Sequence, residues 1–517
     1  MFADSVVIAI VVLTVWLWRR RIFVQRRSKG FPLPPGPRRK PLIGNLLDIP
    51  RFCAWHKFLE WKEQYGELVY VEVLGSRILV LNSLEAVSDL LESRPANYSD
   101  RPTFTMLGEL MELDNVRMPL LQYSDPSWKK QRKVAHLALS PEAVRTYDLV
   151  ADNVVKYVDS LLDKPDDFAP QLRLATGRII MSVIYGLPVD TPDDLYITHA
   201  ESTMEMIGKA MVPGTFLVDL IPPLKHLPAW LPFNNIHKVA ASGRAQILEL
   251  VTRPYEHVKR ERARGTAHSS FTSDCLDKSE ASDPTARAEM EHVILWAAGS
   301  MYGAGGESSY STTMSFILAM AMFPQVQAKL KEEVLRVVGD DRLPTLHDRD
   351  SMPYMNAAVK EATRWRPALP LSIARRTKTA DFYKGYYIPE DTIVLPNVWA
   401  ISKDDKSGIS PEEFAPERHL AGCVKETSID PYSYVFGFGR RVCPGKYLGD
   451  NILFLLLSNI VFAVNISKKL DANGKEIPLP PSYSPGLVSF PEHFEVNISP
   501  SSKAAISVIK ERVVQFS

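Results

Sequence analysis

Cysteine is scarce in this chain. Four occur in 517 residues, Cys53, Cys275, Cys423 and Cys443, with no CxxC pair and no histidine at zinc-ligand spacing. That excludes a disulfide scaffold or a zinc module as the basis of the fold and fits a reducing compartment. Net charge is also nearly absent. With 61 basic against 60 acidic residues, no global field exists to condense on a polyanion, so no nucleic-acid partner is expected. HExxH and GxSxG do not occur. Gly303-Ala-Gly305-Gly306 lacks the third glycine of a dinucleotide fingerprint. Gly439 to Lys446 has one residue too many for a phosphate loop, with Tyr447 where that loop needs Ser or Thr. What the chain does have is 45% apolar and 23% charged residues, the composition of a packed body and not of a disordered one.

Positive charge is concentrated near the start. Residues 19–47 carry nine basic side chains and no acidic one, directly after an apolar run, Val6 to Trp18, interrupted only by Thr14. As a helix those 13 residues span roughly 20 Å, whereas extension from Phe2 to Val24 with snorkelling arginines reaches about 35 Å, enough for a bilayer core of about 30 Å. A cleaved signal peptide wants its charges before the apolar stretch and small residues after it; both are wrong here. Residues 1–24 are therefore expected to be an uncleaved single-pass anchor, with Trp16 and Trp18 in the interfacial belt and the rest of the chain in the cytosol. Residues 25–44 form a basic, proline-rich hinge, with five prolines between Phe31 and Pro41.

Beyond the hinge no internal repeat or composition break divides residues 45–517, which read as one large body. Leu68 to Val73 and Ile78 to Leu81 alternate as a β-hairpin around Gly75. Residues 127–338 are almost wholly helix-periodic, and short strands return at Thr392 to Leu395 and near Phe494 to Ile498. The polar stretch 265–285 is expected to be a surface connection with Cys275 exposed.

The chemistry is concentrated in Phe436-Gly-Phe-Gly-Arg-Arg-Val-Cys443-Pro-Gly445, followed by the apolar helix-former Tyr447 to Val464. Glycines let backbone approach both a sulfur and a flat ligand, and their N–H groups can donate to a thiolate. Pro444 suits a first helical position, which would turn the positive helix end toward the sulfur. This segment matches FxxGxRxCxG, and on it the chain resembles the haem-thiolate monooxygenases of the cytochrome P-450 superfamily, in their membrane-anchored eukaryotic form. The resemblance runs from the proline hinge to the C-terminus and is greatest to fungal enzymes that tailor secondary metabolites.

It implies a mainly α fold with minor β, a large helical domain plus a small sheet-containing lobe, behind one N-terminal transmembrane helix. It further implies haem b with Cys443 as axial thiolate, and Phe436, Arg441 and Gly445 around it. ExxR occurs four times, beginning at Glu142, Glu261, Glu333 and Glu361. Only Glu361-Ala-Thr-Arg364 precedes Phe414-Ala-Pro-Glu-Arg418, so Glu361, Arg364 and Arg418 are expected to lock the region under the cysteine loop, and the other copies to be surface pairs. Trp128 and Arg132 match WxxxR, and with Arg375 and Arg441 they are the implied propionate partners. Lys129, Lys130 and Lys133 would face outward, toward an NADPH-dependent flavoprotein reductase.

Ala304-Gly305-Gly306-Glu307-Ser308-Ser309 resembles the family's oxygen-activating segment, with Ser308 where threonine is usual. Glu307 and Ser308 would relay protons during oxygen activation. Three glycines within four residues of a helix suggest a local widening there. Serine lacks the methyl that fixes a threonine rotamer, so a looser relay with some peroxide release is expected. By the same resemblance the substrate pocket draws on Met301, Tyr302, Leu369, Leu371 and Leu487. These are largely apolar, as suits a lipophilic small molecule, a terpenoid first and a polyketide or alkaloid second. Met211 to Phe233 is too proline-rich for one helix and too apolar for an ordinary loop, and is expected to dip into the membrane surface of the endoplasmic reticulum. An isomerase or dehydratase that needs no oxygen, and a haem sensor without turnover, remain the alternatives.

Overall fold

A computed structural model describes residues 27–113, 118–144, 148–212, 215–228, 230–231, 234–279, 283–479 and 482–515. The anchor expected at 1–24 lies outside them. The hairpin forms as its alternation predicts, Leu68–Val73 against Ser76–Leu81, with Leu74 and Gly75 turning at φ 47° and 92°. Thr392–Pro396 then adds in parallel to Ser76–Leu81, and Arg375–Arg376 pairs antiparallel on its far side. One face of this sheet buries Val69, Val71, Ile78 and Val80 against Phe58 and Trp61 of the helix Ala54–Tyr65. The late strand forms as Val496–Pro500, paired with Val464–Lys468.

The rest is helical. Its spine is Pro284–Met322, 39 residues long and therefore about 58 Å. It starts where Asp283 accepts from Thr285 N and Ala286 N, with Pro284 at the first helical position. Helices Pro126–Leu139, Phe168–Tyr185, Ile236–Arg264 and Lys446–Ala463 pack around this spine, and one continuous apolar core joins most of them. Lys446–Ala463 is apolar on nearly every side because it is buried on nearly every side. It alone among the described residues is long and apolar enough to cross a membrane, and its burial makes it a core helix.

Three expectations are corrected. Residues Phe271–Lys278 form a helix capped by Ser270, and Cys275 is buried at 6% exposure, because the apolar side of that turn packs into the main core. The spine is also continuous α-helix through its glycines, with no widening. Its glycines serve neighbouring helices: a Cβ on Gly305 would meet Ile180 Cδ1 at 2.6 Å, and one on Gly299 would meet Val251 Cγ1 at 2.2 Å. Glu333 is no mere surface acid. Besides approaching Arg336 at 3.6 Å, it is buried and accepts from Tyr354 N at 3.0 Å and Met355 N at 2.7 Å, capping the helix Pro353–Trp365. Glu261 does make the expected pair, with Arg264 at 3.0 Å; the partner of Glu142, Arg145, lies outside the described residues.

Candidate active site

The cysteine loop is shaped by two left-handed glycines, Gly437 at φ 75° and Gly439 at φ 51°. At Gly439 a Cβ would stand 2.5 Å from the carbonyl oxygen of Leu91, so no other residue fits without moving backbone. Cys443 N donates to Phe436 O at 2.7 Å, closing the loop. Helix Lys446–Ala463 begins one residue after its cap, Gly445, so Pro444 stands before the helix and not at its first position. The intended polarity survives this shift, because the Gly445 N–H itself bonds to the Cys443 sulfur. Cys443 is accessible although it lies deep in the body, which makes the sulfur the lining of an internal cleft and not of the outer surface. Burial pushes its thiol up, while the Gly445 N–H, Arg132 and Lys446 pull the other way. The Phe436 ring stands edge-on to Tyr432 at 5.3 Å, beside Gly449 of the following helix.

Four guanidiniums converge above this loop. Arg132 donates to Val442 O at 2.7 Å, and Arg375 donates to Phe438 O at 3.0 Å. Arg441 donates to Ser99 O at 2.9 Å and Leu121 O at 2.5 Å, and its plane lies 4.7 Å from the Trp128 ring. Arg101, which no sequence motif marks, donates to Pro119, Ile373 and Ala374 carbonyls at 2.7–2.8 Å. Arg101, Arg375 and Arg441 are buried, and none of the four forms a salt bridge among the described residues. Desolvation lowers all three, Arg375 to about 9, Arg441 to about 10 and Arg101 far below its ordinary value; repulsion from neighbouring guanidiniums adds to this, while at Arg441 the carboxylate of Asp100 pulls the other way. Arg375 Nε is buried without a hydrogen-bond partner. Among the described residues the one acid nearby, buried Asp100, acts on Arg441 without forming a salt bridge, and clustered buried cations so far in excess of their acids are unfavourable unless a further anionic partner sits among them. A flat macrocycle with two carboxylates and a soft metal answers all of it: carboxylates for the arginines, the metal for the sulfur, glycine backbone for close approach.

Beneath the loop, Glu361 is fully buried and saturated. It accepts from Arg364 Nε at 2.7 Å and Nη2 at 2.9 Å, Arg418 Nε at 3.0 Å and Ala415 N at 2.8 Å, with His419 Nε2 3.0 Å away. Burial alone would raise this carboxyl, but Arg364, His419 and Arg418 outweigh it and hold it at about 2. Asp405 closes the network by pairing with Arg418. Neither His419 nor Asp405 belongs to the motif that marked the others.

On the spine, Met301, Ala304 and Ser308 share one face, and Ala304 is exposed in the midst of a buried helix, so this face borders open space. Ser308 O accepts from Thr312 Oγ1 at 3.0 Å. Glu307 turns aside and accepts from Arg173 Nη1 at 2.5 Å, beside a cavity of about 40 Å³ walled by Thr176, Glu201 and Gly306. Tyr302 leaves the expected pocket: its ring meets Tyr185 edge-on at 5.8 Å and its hydroxyl donates to Tyr196 O, on another face of the helix. Leu487 lies against the helix Leu195–Ala210, its Cβ 3.9 Å from a Cβ placed on Gly208. Leu369 is half-buried, and Leu371 packs in part on the sheet-side core. Lys129, Lys130 and Lys133 are exposed, Lys130 in an ion pair with Glu289.

A sulfur fed by a helix N-terminus, under buried guanidiniums that make no salt bridge among the described residues, fits the donor set of a haem-thiolate protein. Comparison with known proteins carries this to the family. The chain matches the family described as Cytochrome P450 over residues 34–487 and belongs to it. It is 38% identical to the cytochrome P450 monooxygenase COX2 of Coprinopsis cinerea over 497 residues, covering 96% of this chain and 94% of the relative. It is 36% identical to the monooxygenase claR of Ampulloclitocybe clavipes, with 97% and 92% covered, and 36% to monooxygenase 208 of Postia placenta, with 94% and 93% covered. The protein is a cytochrome P450 monooxygenase of fungal type, a family of haem enzymes with a cysteine thiolate, and the isomerase and sensor readings give way to that.

Proposed function

We propose that this chain, anchored in the endoplasmic reticulum membrane by residues 1–24, oxidises a lipophilic small molecule of secondary metabolism, a terpenoid first, with electrons from NADPH delivered by a flavoprotein reductase. The observation that carries the reading is the pairing of the Cys443 loop with the cluster of Arg101, Arg132, Arg375 and Arg441, which makes no salt bridge among the described residues. When bound, the thiolate-ligated haem supplies oxygen activation and insertion of one oxygen atom into a C–H or C=C bond.

The chain's own residues do the rest. Arg132, Arg375 and Arg441 hold the carboxylates, with Trp128 stacked beside Arg441. Gly445 N–H donates to the sulfur, tempering its basicity. Glu361, Arg364 and Arg418 fix the floor and stay out of the chemistry. Ser308 lies on the face that borders the open space, and Glu307, a carboxylate held by Arg173 beside a cavity large enough for one water, would take a proton from that water and pass it on toward Ser308.

Apolar Met301, Leu369 and Leu487 favour a lipophilic substrate. Exposed Leu217, Ile221, Leu227 and Trp230 support a membrane-facing entrance. Residues 217–227 form a four-residue helix and a short 3₁₀ turn, in keeping with their prolines. Exposed Lys129 and Lys133 support docking of an acidic reductase face. Expression with a fungal reductase in membranes, fed a panel of terpenoids, tests the reading: NADPH-dependent products carrying one atom of labelled dioxygen are expected, and turnover without NADPH or dioxygen contradicts it.

A further inference from the structure

Helix Lys446–Ala463 opens on a cation. Lys446 is its first residue, where unpaired N–H groups already make a positive end, so a lysine there is unfavourable by itself. No acid balances it: Lys446 forms no salt bridge among the described residues, and Asp450, one turn on, is taken by Arg349 at 2.9 Å and by the Tyr432 hydroxyl. Nor does the side chain extend into water. Half-buried, it folds back over two rings, its Nζ 5.7 Å from the centre of Tyr432 and 5.8 Å from that of Phe436, and donates to Tyr432 O at 3.4 Å. Phe436 is the residue whose carbonyl accepts from Cys443 N, so the cation is folded back along the cysteine loop itself. The anion it faces there is the sulfur, since Arg132 and Lys446 are the two side-chain charges that favour the Cys443 thiolate. Arg132 is tied to Val442 O and belongs with the carboxylate-holding arginines, which leaves Lys446 as the cation that serves the sulfur alone.

We propose that Lys446 is a positioning residue that raises the reduction potential of the haem by holding a positive charge beside the Cys443 sulfur. The proposal rests on the haem-thiolate reading and adds what poises that haem. Reduction takes one electron from the reductase and turns ferric iron to ferrous, with no bond made or broken in the protein. It adds negative charge next to the sulfur, so a fixed cation there favours the ferrous form and draws charge from the thiolate. The Tyr432 and Phe436 rings keep the ammonium on that side of the loop, and Tyr432 is itself pinned by Asp450. A lysine free to swing into water would lose most of this effect. Because the ammonium is only half-buried, salt screens part of what remains.

The test is a spectroelectrochemical titration of the substrate-free, full-length holoenzyme without reductase. Lys446→Gln keeps a donor for Tyr432 O but removes the charge, and is expected to lower the ferrous-to-ferric ratio at a fixed potential ~5-fold, a midpoint shift of about 40 mV. Lys446→Glu should lower it further, and Lys446→Arg should return it to the wild-type value. Lys238→Gln removes the same net charge from an exposed position on the helix Ile236–Arg264 and should leave the midpoint where it is. In the wild type the ratio falls as salt rises, and in Lys446→Gln that fall shrinks. A Lys446→Gln protein with a native carbon monoxide spectrum and a wild-type midpoint overturns the proposal, as does a shift of equal size in Lys238→Gln. Should Lys446→Gln fail to hold haem, the wild type decides through salt alone, a salt-independent midpoint overturning the proposal. A wild-type protein whose reduced carbon monoxide complex lacks a thiolate-type spectrum overturns instead the reading on which it rests.

Discussion

Arg173, on the helix Phe168–Tyr185, donates to the Glu307 carboxylate at 2.5 Å while its guanidinium lies 3.7 Å from the centre of the Tyr310 ring. Both side chains are mostly buried, 15% and 18% exposed. Breaking a fully buried pair on one side costs about 3–5 kcal/mol, and partial solvation here lowers the expected cost of Arg173→Met to about 1–2 kcal/mol. Arg173→Lys keeps the charge but not the planar stacking, so it recovers only part of that. Thermal unfolding of the three proteins checks the order; identical midpoints would contradict it.

Ser308 leaves its hydroxyl freer to rotate than a threonine would, because no methyl shares its Cβ. Ser308→Thr is expected to lower hydrogen peroxide released per NADPH consumed by about twofold, and Ser308→Ala to raise it. Product, peroxide and NADPH measured together decide this. Tight coupling that survives Ser308→Ala removes the residue from proton delivery.

The Glu361 carboxyl lies at about 2 in the folded protein against an ordinary 4.5. A depressed carboxyl stabilises the fold fully above the ordinary value, and that stabilisation is lost as pH falls from about 4.5 toward 2. Glu361→Gln is expected to cost about 3–5 kcal/mol, since Arg364 and Arg418 stay buried without their acid. Its unfolding midpoint should also vary less with pH over this range than that of the wild type, as melting curves at several pH values will show.

Gly439→Ala places a methyl 2.5 Å from Leu91 O in a backbone already at φ 51°. The strain is about 1–3 kcal/mol, and it falls on the loop that carries Cys443. Haem retained per chain is expected to drop in this variant. Gly474→Ala, also at positive φ but with open space around it, should retain haem as the wild type does.

Where local pattern decides structure, the sequence is legible. The hairpin turning at Leu74-Gly75 follows from its alternation, while the cysteine loop and the choice of Glu361 among four copies follow from the family resemblance that their motifs carry. Cys275 was hidden because its stretch is polar in composition while its burial comes from distant helices. The glycines of the spine misled because a glycine in a helix signals close approach without saying by what, and here Ile180 and Val251 approach. Arg101, Asp405 and His419 carry no motif; only folding brings them to the arginine cluster and to Glu361. Tyr302 sits one residue from Met301, yet that step turns the side chain by about 100°, away from the cleft.

The proposed ligation of the haem iron by Cys443 is the centre of the account. The carbon monoxide difference spectrum of the reduced protein should show the red-shifted Soret band of a thiolate ligand in the wild type and lose it in Cys443→Ser. A Cys443→Ser protein that keeps this band and its turnover would contradict the account.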